Sequence, residues 1–151
     1  MLKIFKNPIT VVLIIVGLVS GFVFLYQLDR LPIRLWDEAR NAENAIEMFQ
    51  NHHWLIRYYY GKPDFYELKP PLLIWTQVLF MNIFGINEWV IRLPAALASI
   101  CTCLVITGFL AKQIHPLAGL MTGLTLASTP AFYGEHIGRS GDHDALLVLF
   151  T

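Results

Sequence analysis

Long runs of apolar residues alternate along the chain with a segment that holds most of the charges. Three stretches of 18 to 20 residues contain no Asp, Glu, Lys or Arg: 9–28, 93–111 and 116–133. The hydrocarbon core of a bilayer is about 30 Å thick, and about 20 helical residues cross it. Because backbone groups in lipid must hydrogen-bond within their own segment, each stretch is predicted to be a membrane-spanning helix. A further apolar helix begins at Ala145.

The apolar stretch 71–84 is only 14 residues long, which is more typical of an interfacial helix than of a span. Its placement decides the topology. If it crosses the membrane, Lys112 lies outside and the acidic segment 135–144 is cytoplasmic. If it lies along the surface, Lys112 is cytoplasmic, and 135–144 lies on the same side as the charged loop 29–69. The short length and the position of Lys112 favour the second arrangement.

The charged loop 29–69 holds 13 of the 22 charged residues. Lys3 and Lys6 precede the first apolar run, so the positive-inside rule places the N-terminus in the cytoplasm and the loop outside. The run is longer than the apolar part of a signal peptide and is interpreted as an uncleaved anchor. Within the loop, apolar residues at helical spacing predict an amphipathic helix over 37–50 that lies on the bilayer surface.

Composition supports this interpretation. The chain has 151 residues, of which 56% are hydrophobic and 15% are charged, and its net charge is zero. The apolar share excludes intrinsic disorder, and the lack of basic excess argues against a nucleic-acid-binding protein. Two cysteines exclude a disulfide scaffold. We therefore expect an all-α integral membrane protein: a multi-span helical bundle with an extracytoplasmic first loop that carries juxtamembrane helices.

Aromatic side chains are concentrated in and just after the charged loop. An aromatic belt at the membrane surface is their commonest role, and stacking on a sugar ring is the less common alternative. The residues concerned are Trp54, Tyr58, Tyr59, Tyr60, Phe65, Tyr66 and Trp75.

Three sequence motifs stand in a fixed order, with Arg-Leu-Pro at 92–94 opening a span between the second and the third. They are Trp-Asp-Glu-Ala-Arg at 36–40, Glu-Leu-Lys-Pro-Pro-Leu at 67–72, and Arg-Ser-Gly-Asp-His-Asp-Ala-Leu-Leu at 139–147. The ordered set resembles the membrane glycosyltransferases of the GT-C type that use lipid-linked sugars. Within them it is most similar to the branch of dolichyl-phosphate-mannose protein mannosyltransferases and bacterial aminoarabinose transferases.

The resemblance implies transfer of a sugar from a polyprenyl-phosphate donor to an acceptor on the extracytoplasmic face. Asp37 matches the acid that follows the first span in family members, with Glu38 beside it as a substrate-binding candidate. Asp144 best matches the second acid, and Asp142 is a nearby extra. A carboxylate, either Asp37 or Asp144, would take the proton of the acceptor hydroxyl as that hydroxyl attacks the anomeric carbon.

Basic residues would stabilise the departing lipid phosphate through charge-assisted hydrogen bonds. Lys69, Arg40 and Arg139 are the candidates. The alternatives are ordinary: Asp37 as a helix cap, and Lys69 and Arg139 reaching lipid headgroups. For Arg92, both a structural role at the start of a helix and a functional role stay open.

Evidence for a metal is weak. A divalent cation near phosphate is chemically reasonable, but neither the pair His52–His53 nor the looser group around His136 and His143 forms a clear ligand set. The family's aminoarabinose branch places a Glu directly before the motif lysine, whereas here Leu68 separates Glu67 from it. No metal ligand is therefore named, and the cofactor stays open.

Family members are several times longer, and the chain stops at Thr151, soon after a new helix begins. We therefore expect residues 1–151 to be the N-terminal part of a polytopic glycosyltransferase of the cell (inner) membrane. Its partners would be the bilayer, a polyprenyl-phosphate sugar and an acceptor glycolipid, glycan or protein. The alternative is a truncated or non-catalytic relative or subunit. A small transporter is a distant third, because no charge lies in the middle of a span.

Overall fold

The computed structural model describes residues 7–30, 32–66, 69–134 and 137–151. Several predictions concern residues outside these ranges: Lys3, Lys6, Glu67, Leu68, Glu135 and His136. The described chain is mostly helical. Its elements are α1 (Pro8–Leu25), α2 (Asp37–Asn51), β1 (Tyr58–Tyr59), β2 (Lys62–Pro63), α3 (Leu72–Phe84), α4 (Glu88–Gln113), α5 (Pro116–Ser128), α6 (Pro130–Tyr133) and α7 (Asp144–Phe150).

Helix α4 is the central element, and it packs against α1, α3, α5 and α7. Helix α5 lies close to both α1 and α4 because Gly123 has no side chain. A methyl group there would collide with the Thr107 hydroxyl and would lie 2.9 Å from a Val16 methyl carbon. At the end of this bundle the Phe24 ring packs edge-on against Phe132, with 5.7 Å between ring centroids.

Within the described residues, α1 and α4 are long and apolar enough to cross a membrane. Helix α4 begins at Glu88, five residues before the predicted span at 93. The prediction stopped at the charge of Arg92, but that charge is paired inside the protein, so the helix can continue through it. Pro94 lies in the second turn and is buried.

The predicted third span, 116–133, is divided into α5 and α6. Thr129, between them, has an extended backbone (φ −71°, ψ 121°), which is the conformation that a following proline imposes. The 13 residues of α5 rise only about 20 Å at 1.5 Å each. Helix α5 alone is therefore too short to cross the hydrocarbon core, and a crossing by α5 and α6 together stays a prediction.

The loop after α1 forms a compact unit on the side of α3 and α4. Helix α2 packs its apolar face on α3, and the cluster includes Ala45, Met48, Ile74 and Val78. This unit also contains a small antiparallel hairpin of β1 and β2, which the sequence patterns did not predict. Its turn is at Tyr60 and Gly61, whose φ values are 51° and 72°. Positive φ at two successive residues is typical of tight hairpin turns.

Candidate active site

A buried ion pair between Glu38 and Arg92 joins the charged loop to helix α4. Arg92 Nε donates to Glu38 Oε1 at 2.7 Å, and Nη2 donates to Oε2 at 3.1 Å. Both residues are only 3–4% exposed. Arg92 also donates to the carbonyl oxygens of Leu28 and Pro32, at 2.8 and 3.0 Å. The pair therefore fixes the path of the chain between α1 and α2.

Two backbone N–H groups complete the surroundings of Glu38. The Arg34 N–H donates to Oε2 at 2.7 Å, and the Gly141 N–H donates to Oε1 at 2.9 Å. Burial raises the pKa of the Glu38 carboxyl, but the bonds from Arg92 and the two N–H groups outweigh burial and hold its pKa below the ordinary value. Glu38 is therefore an ionised carboxylate whose two oxygens are already bonded.

Gly141 lies where the loop before α7 meets α2 and α4. Its carbonyl accepts a hydrogen bond from Asn41 Nδ2 at 3.0 Å. A methyl group at this position would lie 2.8 Å from a methyl carbon of Ile91 and 3.3 Å from Gln77 Nε2. The backbone can approach this closely only because the residue is glycine.

Lys69 and Asp142 form a second ion pair across the same junction. Lys69 Nζ lies 3.3 Å from Asp142 Oδ1, and the His143 N–H donates to the same oxygen. Burial raises the pKa of Asp142, but the contacts of its carboxylate with His143 and Lys69 together outweigh burial and lower the pKa to about 2. Asp142 is only 3% exposed and is charged at neutral pH, so it balances the Lys69 ammonium.

These interactions border a cleft of about 670 Å³, called here the Asp37 cleft. Asp37 is the first residue of α2 and is exposed. Its carboxylate has no hydrogen-bond partner among the residues that the structure describes, so it does not cap the helix. The cleft is lined by Arg34, Leu35, Trp36, Asp37, Glu38, Ser140 and Asp142. Asp37 and Asp142, from two separate motifs, are thus brought together.

Two other predicted site residues lie elsewhere. Asp144 begins α7 and is not among the described residues that line the cleft. Arg40 makes a bidentate ion pair with Asp64: Nε donates to Oδ2 and Nη2 donates to Oδ1, both at 2.9 Å. The Arg40 guanidinium carbon also lies 4.7 and 4.4 Å from the ring centres of Tyr59 and Tyr66. The substrate roles of Asp144 and Arg40 stay predictions.

Asp64 is the partner that sequence reasoning missed. Its carboxylate also accepts from Asn44 Nδ2 at 3.1 Å, and hydrogen bonding with Arg40 lowers its pKa to about 2 against the effect of burial. The Gly61 N–H donates to Glu47 at 2.8 Å. These bonds hold the hairpin onto α2, so Arg40 has a clear structural task in the described structure.

Arg139 lies at a separate cavity near the end of α1. Its Nη2 donates to the carbonyl oxygens of Tyr26 and Gln27, at 2.7 and 3.0 Å. Among the described residues, no group of three or more His, Cys, Asp or Glu side chains could hold a metal ion.

Residues 68–151, more than half of the chain, match the family model of dolichyl-phosphate-mannose-protein mannosyltransferases. The chain belongs to this family. The resemblance drawn from the ordered motifs is therefore confirmed, and the cleft belongs to a member of the GT-C type membrane glycosyltransferases.

Relatives of this family member include enzymes of the aminoarabinose branch. The undecaprenyl phosphate-α-4-amino-4-deoxy-L-arabinose arabinosyl transferase of Aeromonas salmonicida is 29% identical over 129 residues, 84% of this chain and 23% of the enzyme. An uncharacterized protein of Aquifex aeolicus is 31% identical over 113 residues, 75% of this chain and 27% of that protein. The chain thus spans about a quarter of the length of these relatives.

A solved structure shares the architecture. The crystal structure of ArnT from Cupriavidus metallidurans bound to undecaprenyl phosphate is similar with a TM-score of 0.76 and 30% sequence identity. The similarity covers 91% of this chain and 24% of ArnT. Nearly all of this family member therefore has the fold of one part of a larger membrane enzyme.

Proposed function

We propose that the protein carrying this chain transfers a sugar from a polyprenyl-phosphate donor to an acceptor on the extracytoplasmic face of the membrane. The observation that carries the proposal is the Asp37 cleft. An exposed carboxylate without a partner among the described residues faces the same cavity as Asp142, which is ion-paired with Lys69. A proton acceptor and a cation thus lie at one site.

Each group has a definite task in the proposed reaction. Asp37 accepts the proton of the acceptor hydroxyl while its oxygen attacks the anomeric carbon. The bond from that carbon to the phosphate oxygen breaks, and the lipid phosphate leaves with the bonding electrons. Lys69 lies beside the cleft and stabilises the charge gained by the phosphate. Asp142 holds Lys69 in place, and the Glu38–Arg92 pair holds the backbone on both sides of Asp37.

The relatives support the choice of donor. The Aeromonas enzyme is named for an undecaprenyl-phosphate sugar, and the Cupriavidus ArnT structure holds undecaprenyl phosphate. The site lies at the ends of apolar helices, where a lipid-linked phosphate is accessible. Localisation in the cell membrane, with several passes and a cytoplasmic N-terminus, is part of the same proposal, and the acceptor is left open.

Asp37→Asn is the decisive variant, because asparagine has nearly the same shape but cannot accept the proton. Membranes containing the complete protein would be given radiolabelled polyprenyl-phosphate aminoarabinose and polyprenyl-phosphate mannose in separate reactions. We expect transfer to fall roughly 10²–10⁴-fold in Asp37→Asn. Asp29→Asn, an exposed position outside the cleft, is the matched control and should keep full activity.

Two results would contradict the assignment. Near-normal transfer by Asp37→Asn would show that Asp37 is not the base, and Asp144 would become the candidate. An absence of transfer by the unaltered protein with either donor and a mixed membrane acceptor would favour a non-catalytic relative or subunit.

A further inference from the structure

A second cavity, of about 520 Å³, is lined by four arginine side chains and lies beside the Asp37 cleft. We call it the arginine cavity. No Asp or Glu is among the described residues that line it. Its lining is Tyr26, Gln27, Leu28, Arg30, Arg34, Arg92, Tyr133, Gly134 and Arg139. Four guanidinium groups around one cavity need a physical explanation, because like charges repel at short range.

One of the four charges is balanced by an ion pair of the site already described. Arg92 is bonded to Glu38, which lies on the side of the Asp37 cleft. Arg30 and Arg139 carry the inference, since they donate only to neutral groups among the residues that the structure describes. Arg139 Nη2 donates to two backbone carbonyl oxygens, and Arg30 Nη1 donates to the Gln27 side-chain oxygen at 2.8 Å.

These bonds hold the two guanidinium groups without using all of their donors. A guanidinium has five N–H donors. Nη1 and Nε of Arg139, and Nη2 and Nε of Arg30, have no hydrogen-bond partner among the residues that the structure describes. Planar, partly anchored guanidinium groups are suited to phosphate, which accepts paired N–H bonds. The cavity therefore has the chemistry of an anion site.

The position of the cavity indicates what carries the anion. Tyr26 directly follows α1 and Leu28 lies three residues past its end, and α1 is long and apolar enough to cross a membrane. Tyr26 and Tyr133 are 51% and 37% exposed, and tyrosine is enriched at the level of lipid headgroups. We propose that the arginine cavity binds the phosphate group of an anionic lipid, at a site separate from the donor phosphate beside Lys69. The proposal is independent of the sugar transfer.

Lipid binding tests it without any activity measurement. The protein, purified in detergent, would be titrated with dioleoylphosphatidylglycerol, dioleoylphosphatidylcholine and inorganic phosphate, and bound lipid counted by native mass spectrometry. We expect phosphatidylglycerol to bind and phosphatidylcholine to bind far more weakly. Arg30→Gln should weaken phosphatidylglycerol binding about tenfold, the effect of losing a charge-assisted hydrogen bond. Lys62→Gln, which removes an exposed positive charge from the hairpin, is the matched control and should bind normally.

Arg139→Lys is the second variant. Lysine keeps the positive charge but lacks the planar guanidinium that donates to the carbonyl oxygens of Tyr26 and Gln27, so this variant should also bind phosphatidylglycerol more weakly. A thermal unfolding curve without lipid shows that each variant is folded. Binding of inorganic phosphate as well as phosphatidylglycerol would show that the phosphate group is sufficient for binding. Binding of phosphatidylglycerol but not of inorganic phosphate would show that the lipid chains are needed. Both results support the site.

Three results would overturn the proposal. The first is equal phosphatidylglycerol binding by Arg30→Gln and the unaltered protein. The second is an equal loss in Lys62→Gln, which would indicate only a general charge effect. The third is one-for-one displacement of phosphatidylglycerol by undecaprenyl phosphate together with a loss of binding in Lys69→Gln, since the cavity would then be part of the donor site.

Discussion

Glu38 and Arg92 are 54 residues apart in the sequence, yet two N–H···O bonds of 2.7 and 3.1 Å join their side chains. Through this pair, helix α4 determines where α2 begins. Asp37 is the residue directly before Glu38, so the position of the proposed base depends on this ion pair. The pair is thus a positioning device for the Asp37 cleft.

Breaking the pair from one side should destabilise the protein strongly. Glu38→Gln or Arg92→Gln leaves the other residue buried without its charge partner, which costs about 3–5 kcal/mol. The double variant Glu38→Gln/Arg92→Gln should lose less than the sum of the two. Thermal or denaturant unfolding in detergent measures all three. Strictly additive losses would show that the two side chains do not act as a pair.

Gly141→Ala tests the close contact between the loop and α4. The added methyl group would lie 2.8 Å from the Ile91 methyl carbon, so the loop must shift. We expect a loss of roughly 1–3 kcal/mol in unfolding free energy, the usual cost of overpacking. Gly21→Ala is a suitable control, because nothing lies within 4 Å of a methyl group at that glycine. Equal stability of the two variants would contradict the tight packing described for Gly141.

The long apolar runs were enough to predict most of the helices, because burying or inserting such runs allows few other structures. The start of α4 could not be predicted in the same way. Arg92 is unfavourable in an apolar environment when considered alone, and only its distant partner Glu38 makes it acceptable there. The rule that a charge within an apolar segment has a partner predicts that Arg92 is paired, but it does not identify Glu38 as the partner.

Asp64 predicts a pH dependence of stability. Its pKa is about 2 in the folded protein, against 3.8 for an aspartate without such contacts. The folded protein therefore binds the proton less readily, and the stabilising effect of the Arg40 pair is complete above about pH 5 and lost as the pH falls toward 2. The unfolding temperature measured between pH 6 and 2.5 should fall less steeply in Asp64→Asn. The pKa of Asp142 is also lowered in the folded protein, so part of the fall in unfolding temperature should remain in Asp64→Asn. An equally steep fall in the variant and the unaltered protein would show that Asp64 does not titrate as described.

Membrane topology can be tested with single cysteines in a variant lacking Cys101 and Cys103. Lys62 lies in the hairpin beside α2, and Lys112 lies at the far end of α4. An impermeant thiol reagent applied to intact cells should label Lys62→Cys but not Lys112→Cys, which should react only after the cells are opened. The reverse pattern would place the Asp37 cleft in the cytoplasm and contradict the proposed extracytoplasmic reaction.

The candidate site was only partly predictable for a related reason. The motifs indicated Asp37 and Asp144 as catalytic carboxylates, with Lys69 and Asp142 as binding candidates. The structure places Asp37 and Asp142 at one cleft but not Asp144, and the roles of all four stay predictions. The ion pair between Arg40 and Asp64 depends on the fold of the hairpin. Its turn has Tyr60 at positive φ, where Asn or Asp is the usual residue, so the sequence carried no strong hairpin signal. The arginine cavity is likewise assembled from separate segments that only the folded chain brings together.

One side chain, Arg34, lines both the Asp37 cleft and the arginine cavity, and the Glu38–Arg92 pair has one member facing each. Ligands that share a wall are linked thermodynamically: if one changes the affinity of the other by some factor, the reverse effect has the same size. A lipid in the arginine cavity that changed donor affinity through this wall would be an allosteric effector of the proposed donor binding. The composition of the surrounding leaflet would then change how tightly the protein holds the proposed sugar donor.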